Sequence, residues 1–474
     1  MKSTRNLQRV QRDLETLLDK QSLVQTIVNA ISQAGGRALL VGGAVRDLFL
    51  GVHTKDLDIE IYGLKPEELE EVLRQFGPVS LVGKQFGVYR VHGLDIDWSL
   101  PRSDSSGRKP EVAINPHMPF EQSFARRDLT INAMGLDLKT FELIDPFNGV
   151  HDLKNGILRA PNAHFFIEDP LRLFRVMQFV SRFGMVPNAE LNRVCAKMDI
   201  SSVSRERIET EFEKMLLKSE RPSLGLRWLK EIGRLDEIVP ELAATIGVAQ
   251  PKEYHPEGDV FEHSMQALDA SARLSYDDPK KKLMIMYAVL CHDLGKVSTT
   301  REIDGRLRSL EHAQEGVPLT KQMLKRITEQ RELIDGVCKL VRYHMEPIIF
   351  TTGGAKHAAY KRLAHKLEPH TTIQELADVA LADQQGRNPE GPEPLSNVPE
   401  ELKVFLHFAG QIQVKYGAEK PVLLGRDIAD RVTPGPQMGK LLARAYDIQI
   451  EEGIQDKEEL KKRLFGVANI RTDE

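Results

Sequence analysis

Asp56 and Asp58 stand two residues apart in Lys55-Asp56-Leu57-Asp58-Ile59-Glu60-Ile61-Tyr62, shortly after the run Leu40-Val41-Gly42-Gly43-Ala44-Val45-Arg46-Asp47. In an extended chain side chains alternate, so Asp56 and Asp58 share one face while Leu57, Ile59 and Ile61 take the buried one. Two adjacent carboxylates repel each other, a cation between them relieves that, and oxygen ligands at this spacing suit Mg²⁺. The glycine turn upstream lets backbone N–H groups approach a phosphate closely. A second run, Leu94-Asp95-Ile96-Asp97-Trp98-Ser99-Leu100, repeats the pattern, with Asp95, Asp97 and Ser99 on one face. Two such faces could build a three-carboxylate, two-metal site: one ion activates an attacking 3′-hydroxyl, the other neutralises a triphosphate and its leaving pyrophosphate. Either strand alone reads equally well as half-exposed sheet whose acids face water.

A different chemistry is suggested by the histidines between Pro251 and Gly386: His255, His263, His292, His312, His344, His357, His365 and His370. His292-Asp293 ends an apolar run, with Gly295 as a cap and Lys296 placed to meet a phosphate. An adjacent His and Asp can converge on one ion from a helix end while His263 and Asp383 arrive from other helices. A lone histidine is more often structural or exposed, the reading taken for His53, His117, His357, His365 and His370.

These groups need scaffolds, and 474 residues is too long for one core. A hydrophobic content of 41% and a charged content of 28% are those of an ordinary soluble protein. The longest apolar run, Leu283 to Cys291, falls far short of the ~20 residues that span a bilayer. The polar, basic start has no secretory h-region, and three cysteines (Cys195, Cys291, Cys338) point to a reducing cytoplasm. A net charge of −4 means that any RNA contact must come from a local basic surface. Aromatic content of 6% argues against a purely nucleic-acid-stacking protein.

Residues 1–36 show helical spacing of Leu7, Val10, Leu14, Leu17, Leu18, Val24, Ile27, Val28 and Ile31. Residues 37–160 turn to short strands, expected at Ala38–Val41, Leu57–Tyr62, Val88–Val91, Leu94–Leu100 and Phe141–Ile144, with a helix at Pro66–Phe76. Pro101 to Phe120 reads as a long, polar, strandless loop. Residues 161–246 and 247–388 read as helical. Gly386-Arg387-Asn388-Pro389-Glu390-Gly391-Pro392-Glu393-Pro394 reads as a linker to a last helical piece, 389–474.

The first half resembles a known family. Leu40 to Asp47, Asp56 to Asp58, Arg126-Arg127-Asp128-Leu129-Thr130-Ile131-Asn132-Ala133-Met134, Asp145-Pro146-Phe147-Asn148-Gly149 and Glu168-Asp169-Pro170-Leu171-Arg172-Leu173-Phe174-Arg175 resemble, in order, the motifs of class II CCA-adding tRNA nucleotidyltransferases and bacterial poly(A) polymerases. The resemblance implies an α+β, polymerase-beta-like palm (37–160), then an all-α neck (161–246), an HD domain (247–388) and a helical RNA-binding tail (389–474). It implies addition of CMP and AMP from CTP and ATP to the tRNA 3′ end in the cytoplasm, with no membrane and no obligatory protein partner.

By position, the resemblance implies that Gly42, Gly43 and Arg46 hold the triphosphate. Asp56 and Asp58 would carry Mg²⁺, with Asp97 as third carboxylate, and Arg127 and Asp128 would contact sugar and phosphate. Asp169 and Arg172 would read the base, supported by Arg175. Such a pair can serve both cytosine and adenine, each of which shows an amine beside an unprotonated ring nitrogen; guanine and uracil leave both protein groups mismatched. A plainer reading makes Asp169 a helix cap with the arginines on a solvated face. Gln178 stands where relatives often carry a further arginine.

In the second half His263, His292-Asp293 and Asp383 resemble the ligand order of metal-dependent HD phosphohydrolases, with His255 in the lead-in. The resemblance implies a divalent transition metal or Mg²⁺ there, a second ion at His312 and His344, and hydrolysis of phosphomonoesters or 2′,3′-cyclic phosphates. The tail from Leu423 would cradle the RNA elbow or serve only as a packing helix. The rival readings are a poly(A) polymerase, an enzyme limited to CC or A addition, and an HD phosphohydrolase whose first half only senses nucleotide or RNA.

Overall fold

Leu57, Ile59 and Ile61 are at most 5% exposed, and their burial sets the register of the strand that carries Asp58. Each such side chain contributes about 1.5–3 kcal/mol. A slip of one residue would drive Asp58 into the core, so the alternative register is strongly disfavoured. The computed structural model describes residues 5–19, 21–52, 57–82, 87–104 and 112–466. Two units divide the chain, 1–215 with 224–234, and 216–223 with 235–474.

In the first unit the N-terminal periodicity becomes two helices, Leu7–Asp19 and Ser22–Gln33, burying Val10, Leu14 and Leu18, then Val24, Ile27, Val28 and Ile31. The strands are β1 (Arg37–Val41), β2 (Leu57–Tyr62), β3 (Val79–Val82), β4 (Val88–Val91), β5 (Ile96–Ser99), β6 (Arg102–Asp104), β7 (Val112–Ile114), β8 (Gly135–Asp137) and β9 (Leu143–Ile144). Seven of them form one mixed sheet in the order β3-β4-β5-β2-β1-β8-β9. Among the described residues its only parallel pair is β2 with β5; the other neighbours are antiparallel. Trp98 of β5 is fully buried, and Leu39, Val41, Tyr62, Phe124, Ala133 and Ile144 make a cluster at the other side of β2.

The stretch expected to be a strandless loop contains β6 and β7, paired antiparallel with Arg102 opposite Ile114. Val112 and Ile114, β-branched and two residues apart, supply a strand signal that the polar surroundings outweighed in the sequence. Beyond the sheet the chain is mainly helical, with a two-residue parallel bridge of β10 (Ile157–Leu158) and β11 (Val186–Pro187). The helix Leu171–Phe183 buries Leu173, Phe174, Val176 and Met177 and ends at Gly184 in the left-handed region (φ 64°).

The second unit packs the helices Val260–Ala272, Pro279–Cys291, His312–Ile327, Arg331–Tyr343 and Ile373–Gln385. Its helical run is interrupted by a hairpin, β12 (Thr300–Ile303) and β13 (Arg306–Ser309). The two-residue turn is Asp304-Gly305, both at positive φ (52° and 73°). Asp-Gly between alternating residues is a strong hairpin signal, overlooked because helix surrounds it. The expected linker is fastened down: Gln266 Nε2 donates to the carbonyls of Asn388 and Gly391, and Arg273 donates to that of Pro394. The tail helices Pro436–Glu452 and Lys457–Gly466 close a small core of Leu423, Ile428, Met438, Ala445, Leu460 and Leu464. Among the described residues no helix is long and apolar enough to cross a membrane.

Candidate active sites

In the first unit the parallel pairing of β2 and β5 sets Asp58 beside Asp97 in register. Neighbouring strands run ~4.8 Å apart, so the two carboxylates can share one cation. Asp58 is exposed, and Asp97 accepts from Arg90 Nε at 2.7 Å. Asp56 lies outside the described residues. A cleft of about 430 Å³ is lined by Asp58, Asp97, Arg127, Asp128, Asp169, Arg172 and Arg175, among others. The acid strands and the Leu171–Phe183 helix, far apart in sequence, thus face one cavity.

Glu60 forms the floor. It follows Asp58 on the same strand face but is 2% exposed. Its Oε1 accepts from Tyr62 (2.5 Å) and Ser123 (2.6 Å), and its Oε2 from Arg127 at 3.1 Å, with Arg126 at 3.7 Å. Burial alone would raise the Glu60 carboxyl, but the charges of Arg127 and Arg126 hold it below its ordinary value. Glu60 escaped attention in the sequence although strict alternation puts it on the acid face.

Gly42, Gly43 and Arg46 do not line the cleft. Gly42 (φ 72°) precedes the helix Gly43–Leu50, and a Cβ there would lie 2.9 Å from Arg127 Nη1. Glycine is favoured by the positive φ, which L side chains rarely adopt; the guanidinium tip of Arg127 could give way to a Cβ. Arg46 is 5% exposed, pairs with Asp47, donates to Asn132 Oδ1 at 2.6 Å and lies over Phe179 and Phe183.

Asp128 accepts from the Leu129 N–H (2.8 Å), from Asn132 Nδ2 (2.9 Å) and from Arg175 Nε (2.7 Å). Burial pushes its carboxyl up, but the Arg175 charge and these hydrogen bonds win and hold it at about 2. Asp128 therefore fixes Arg175 in place. Arg172 donates to the carbonyls of Phe165 (2.6 Å) and Arg126 (2.5 Å), which points its fork along the cleft wall. Asp169 accepts from the Leu171 N–H and pairs with Arg207 at 3.0 Å. Capping and facing the cleft are thus compatible for Asp169; Arg207, from a separate helix, carried no sequence signal. Gln178 is 2% exposed, and its Nε2 has no hydrogen-bond partner.

The second unit brings His263, His292, Asp293, Asp383, His312 and His344 together, all nearly buried. His263 and His292 approach Nε2 to Nε2 at 3.2 Å, and His312 and His344 do the same at 3.2 Å. The other ring nitrogens are committed: Nδ1 of His292 donates to Val289 O, that of His344 to Val341 O, and that of His312 to Ser309 O, at 2.7–2.8 Å. His263 Nδ1 faces Glu257 Oε1 at 2.7 Å. With every Nδ1 turned to an acceptor, the four Nε2 atoms face inward, where they could take a metal ion.

Carboxylates complete both halves. Asp293 Oδ2 lies 3.2 Å from His292 Nε2 and its Oδ1 3.4 Å from His312 Nε2, so Asp293 can bridge two ions. Asp383 Oδ1 is 3.1 Å from His263 Nε2 and is gripped on both oxygens by Arg387. The groups His263, His292, Asp293 and Asp293, His312, His344 each converge tightly enough to hold an ion. Burial lowers the His344 imidazole to about 3, helped by its histidine neighbours, which keeps it a neutral ligand. Burial disfavours charge on His263 too, but Asp383 and Glu257 raise it to about 9, marking a place that attracts positive charge. Glu257, missed in the sequence, accepts from both His255 and His263.

Residues 38–159 match the family model described as Poly A polymerase head domain, residues 193–246 the "Probable RNA and SrmB- binding site of polymerase A", and residues 260–385 the HD domain. A curated relative, the Multifunctional CCA protein of Alkalilimnicola ehrlichii, is 37% identical over 322 residues, 65% of this chain and 74% of its own. The Multifunctional CCA protein of Stenotrophomonas maltophilia is 31% identical over 430 residues, 86% of this chain and 97% of its own. The CCA-adding enzyme of Thermotoga maritima, complexed with tRNA, gives a TM-score of 0.58 at 19% identity, covering 99% of this chain and 100% of that one. The Bacillus stearothermophilus CCA-adding enzyme in complex with CTP gives 0.62 at 19% identity, covering 95% and 98%. These two structures speak for the fold.

Proposed function

Because the chain belongs to the family of multifunctional CCA proteins, we propose that it adds CMP and AMP, from CTP and ATP, to the 3′ end of tRNA. The observation that carries this reading is the shared cleft: in-register Asp58 and Asp97 on one wall, Asp169, Arg172 and Arg175 on another. Asp58 and Asp97, with Asp56, would hold Mg²⁺. When bound, the ion acidifies the attacking 3′-hydroxyl and neutralises the pyrophosphate. Arg127, braced by Glu60, meets the triphosphate. Arg172 donates to the ring nitrogen of the base while Asp169 accepts from its exocyclic amine, sharing that carboxylate with Arg207. Arg175, locked by Asp128, keeps the template wall rigid.

In the second unit His263, His292, Asp293 and Asp383 would hold one divalent ion, with His312 and His344 sharing Asp293 for another. The bound metal would supply a hydroxide nucleophile for phosphate esters, 2′,3′-cyclic phosphates among them. Lys296, whose Nζ lies 2.8 Å from Asp293 Oδ2, would steady the phosphate. Three unpaired cysteines fit a cytoplasmic enzyme.

The test is an incorporation assay with Mg²⁺, each NTP singly and together, and tRNA ending at the discriminator base, at C or at CC. A discrete CCA end is expected. A ladder of A on any RNA would mean a poly(A) polymerase; no incorporation would leave the first unit a sensor.

A further inference from the structure

The β12–β13 hairpin carries three arginines on one face that the fold does not explain. Arg301 is the cross-strand partner of Arg308, and Arg306 follows on the same face two residues along. All three are exposed, and none has a carboxylate partner among the described residues. Like charges directly opposite on a strand pair are destabilising.

Its position is informative. The hairpin lies between Lys296 and His312, and its base is tied to the candidate metal centre: the Ser309 carbonyl accepts from His312 Nδ1 at 2.8 Å. Thr300 Oγ1 and Ser309 Oγ, 2.8 Å apart, clamp the two strands beside that point. Four-residue strands reach ~13 Å from this base, and the Asp304-Gly305 turn holds the far end.

We propose that this arginine face is a phosphate-binding track that presents the end of an RNA chain to the histidine-rich centre. The proposal rests on reading that centre as a phosphohydrolase and names its substrate class. A mononucleotide delivers its one phosphate to the metal and has nothing left for Arg301, Arg306 and Arg308. A single strand ending in a phosphate delivers the terminal group to the metal and its preceding phosphodiesters to the arginines.

The test uses the full-length, metal-loaded protein with two substrates, an RNA oligonucleotide ending in a 2′,3′-cyclic phosphate and the matching cyclic mononucleotide. The triple variant Arg301→Ala/Arg306→Ala/Arg308→Ala is expected to lose about tenfold or more in kcat/KM on the oligonucleotide, chiefly through KM. On the mononucleotide it should stay within about twofold of wild type. The slope of log kcat/KM against log salt for the oligonucleotide should flatten by about 2. The corresponding triple lysine variant should restore most of the loss, which a packing role would not. Equal losses on both substrates, or none on RNA, would overturn the proposal while leaving the phosphohydrolase reading intact. A wild type inactive on both substrates would remove that reading and the proposal together.

Discussion

Glu60 and Arg127 form a pair at 3.1 Å beneath the cleft, with the carboxylate 2% exposed and the guanidinium partly open to the cavity. The acid two residues beyond Asp58 thus serves as a brace for a cation rather than as a metal ligand. Glu60→Gln should leave Arg126 and Arg127 undercompensated, costing about 1–3 kcal/mol of stability. It should also raise KM for NTP more than it lowers kcat. An unchanged KM in steady-state incorporation would show that Arg127 does not meet the triphosphate.

The two centres should fail separately. Asp58→Ala should lower nucleotide incorporation by about a thousandfold or more and leave phosphate-ester hydrolysis intact. Asp293→Ala should do the reverse. Parallel assays on the two purified variants check this, and a double loss in either would undo the two-site model.

Base choice should depend on Arg172. Arg172→Ala removes a donor that is expected to distinguish an unprotonated ring nitrogen from an N–H. Discrimination of CTP over UTP should then fall by about a hundredfold or more. Single-nucleotide incorporation on tRNA lacking its CCA end measures the ratio.

Glu257→Gln should loosen the histidine-rich centre without touching an ion. His255 and His263 both reach the same oxygen, Oε1, and a neutral amide oxygen accepts from them more weakly than the carboxylate does, so the His263 ring is held less firmly and is less basic. Metal affinity should weaken about 10–100-fold. A competition titration against a chelator reads this directly, with incorporation unchanged.

Stability should depend on pH through Asp128. Its folded value of about 2 lies below the ordinary 3.8, so the stabilisation is complete above the ordinary value and is lost as pH falls toward 2. The contribution is about 2 kcal/mol. The stability gap between wild type and Asp128→Asn, from urea unfolding, should therefore shrink between pH 5 and pH 2.5. A gap that does not change with pH would remove Asp128 as the responsible group.

Short-range order was decided by the chain alone. Alternation in Leu57–Tyr62 assigns faces because strand geometry repeats every two residues, and the helical character of residues 1–36 follows from apolar spacing, though not its division into two helices. The adjacency of His292 and Asp293 makes them candidates for one ion whatever surrounds them. What lay beyond reach were relations between distant segments. That Glu60 is buried under two arginines, that Arg46 is taken up by Asp47 and Asn132, and that Arg207 reaches Asp169 all depend on which surfaces pack together. Likewise Glu257 matters only because it meets His263 across a turn. Local chemistry offers each of these charges many partners, and only the packed core, by excluding water and fixing distances, selects one.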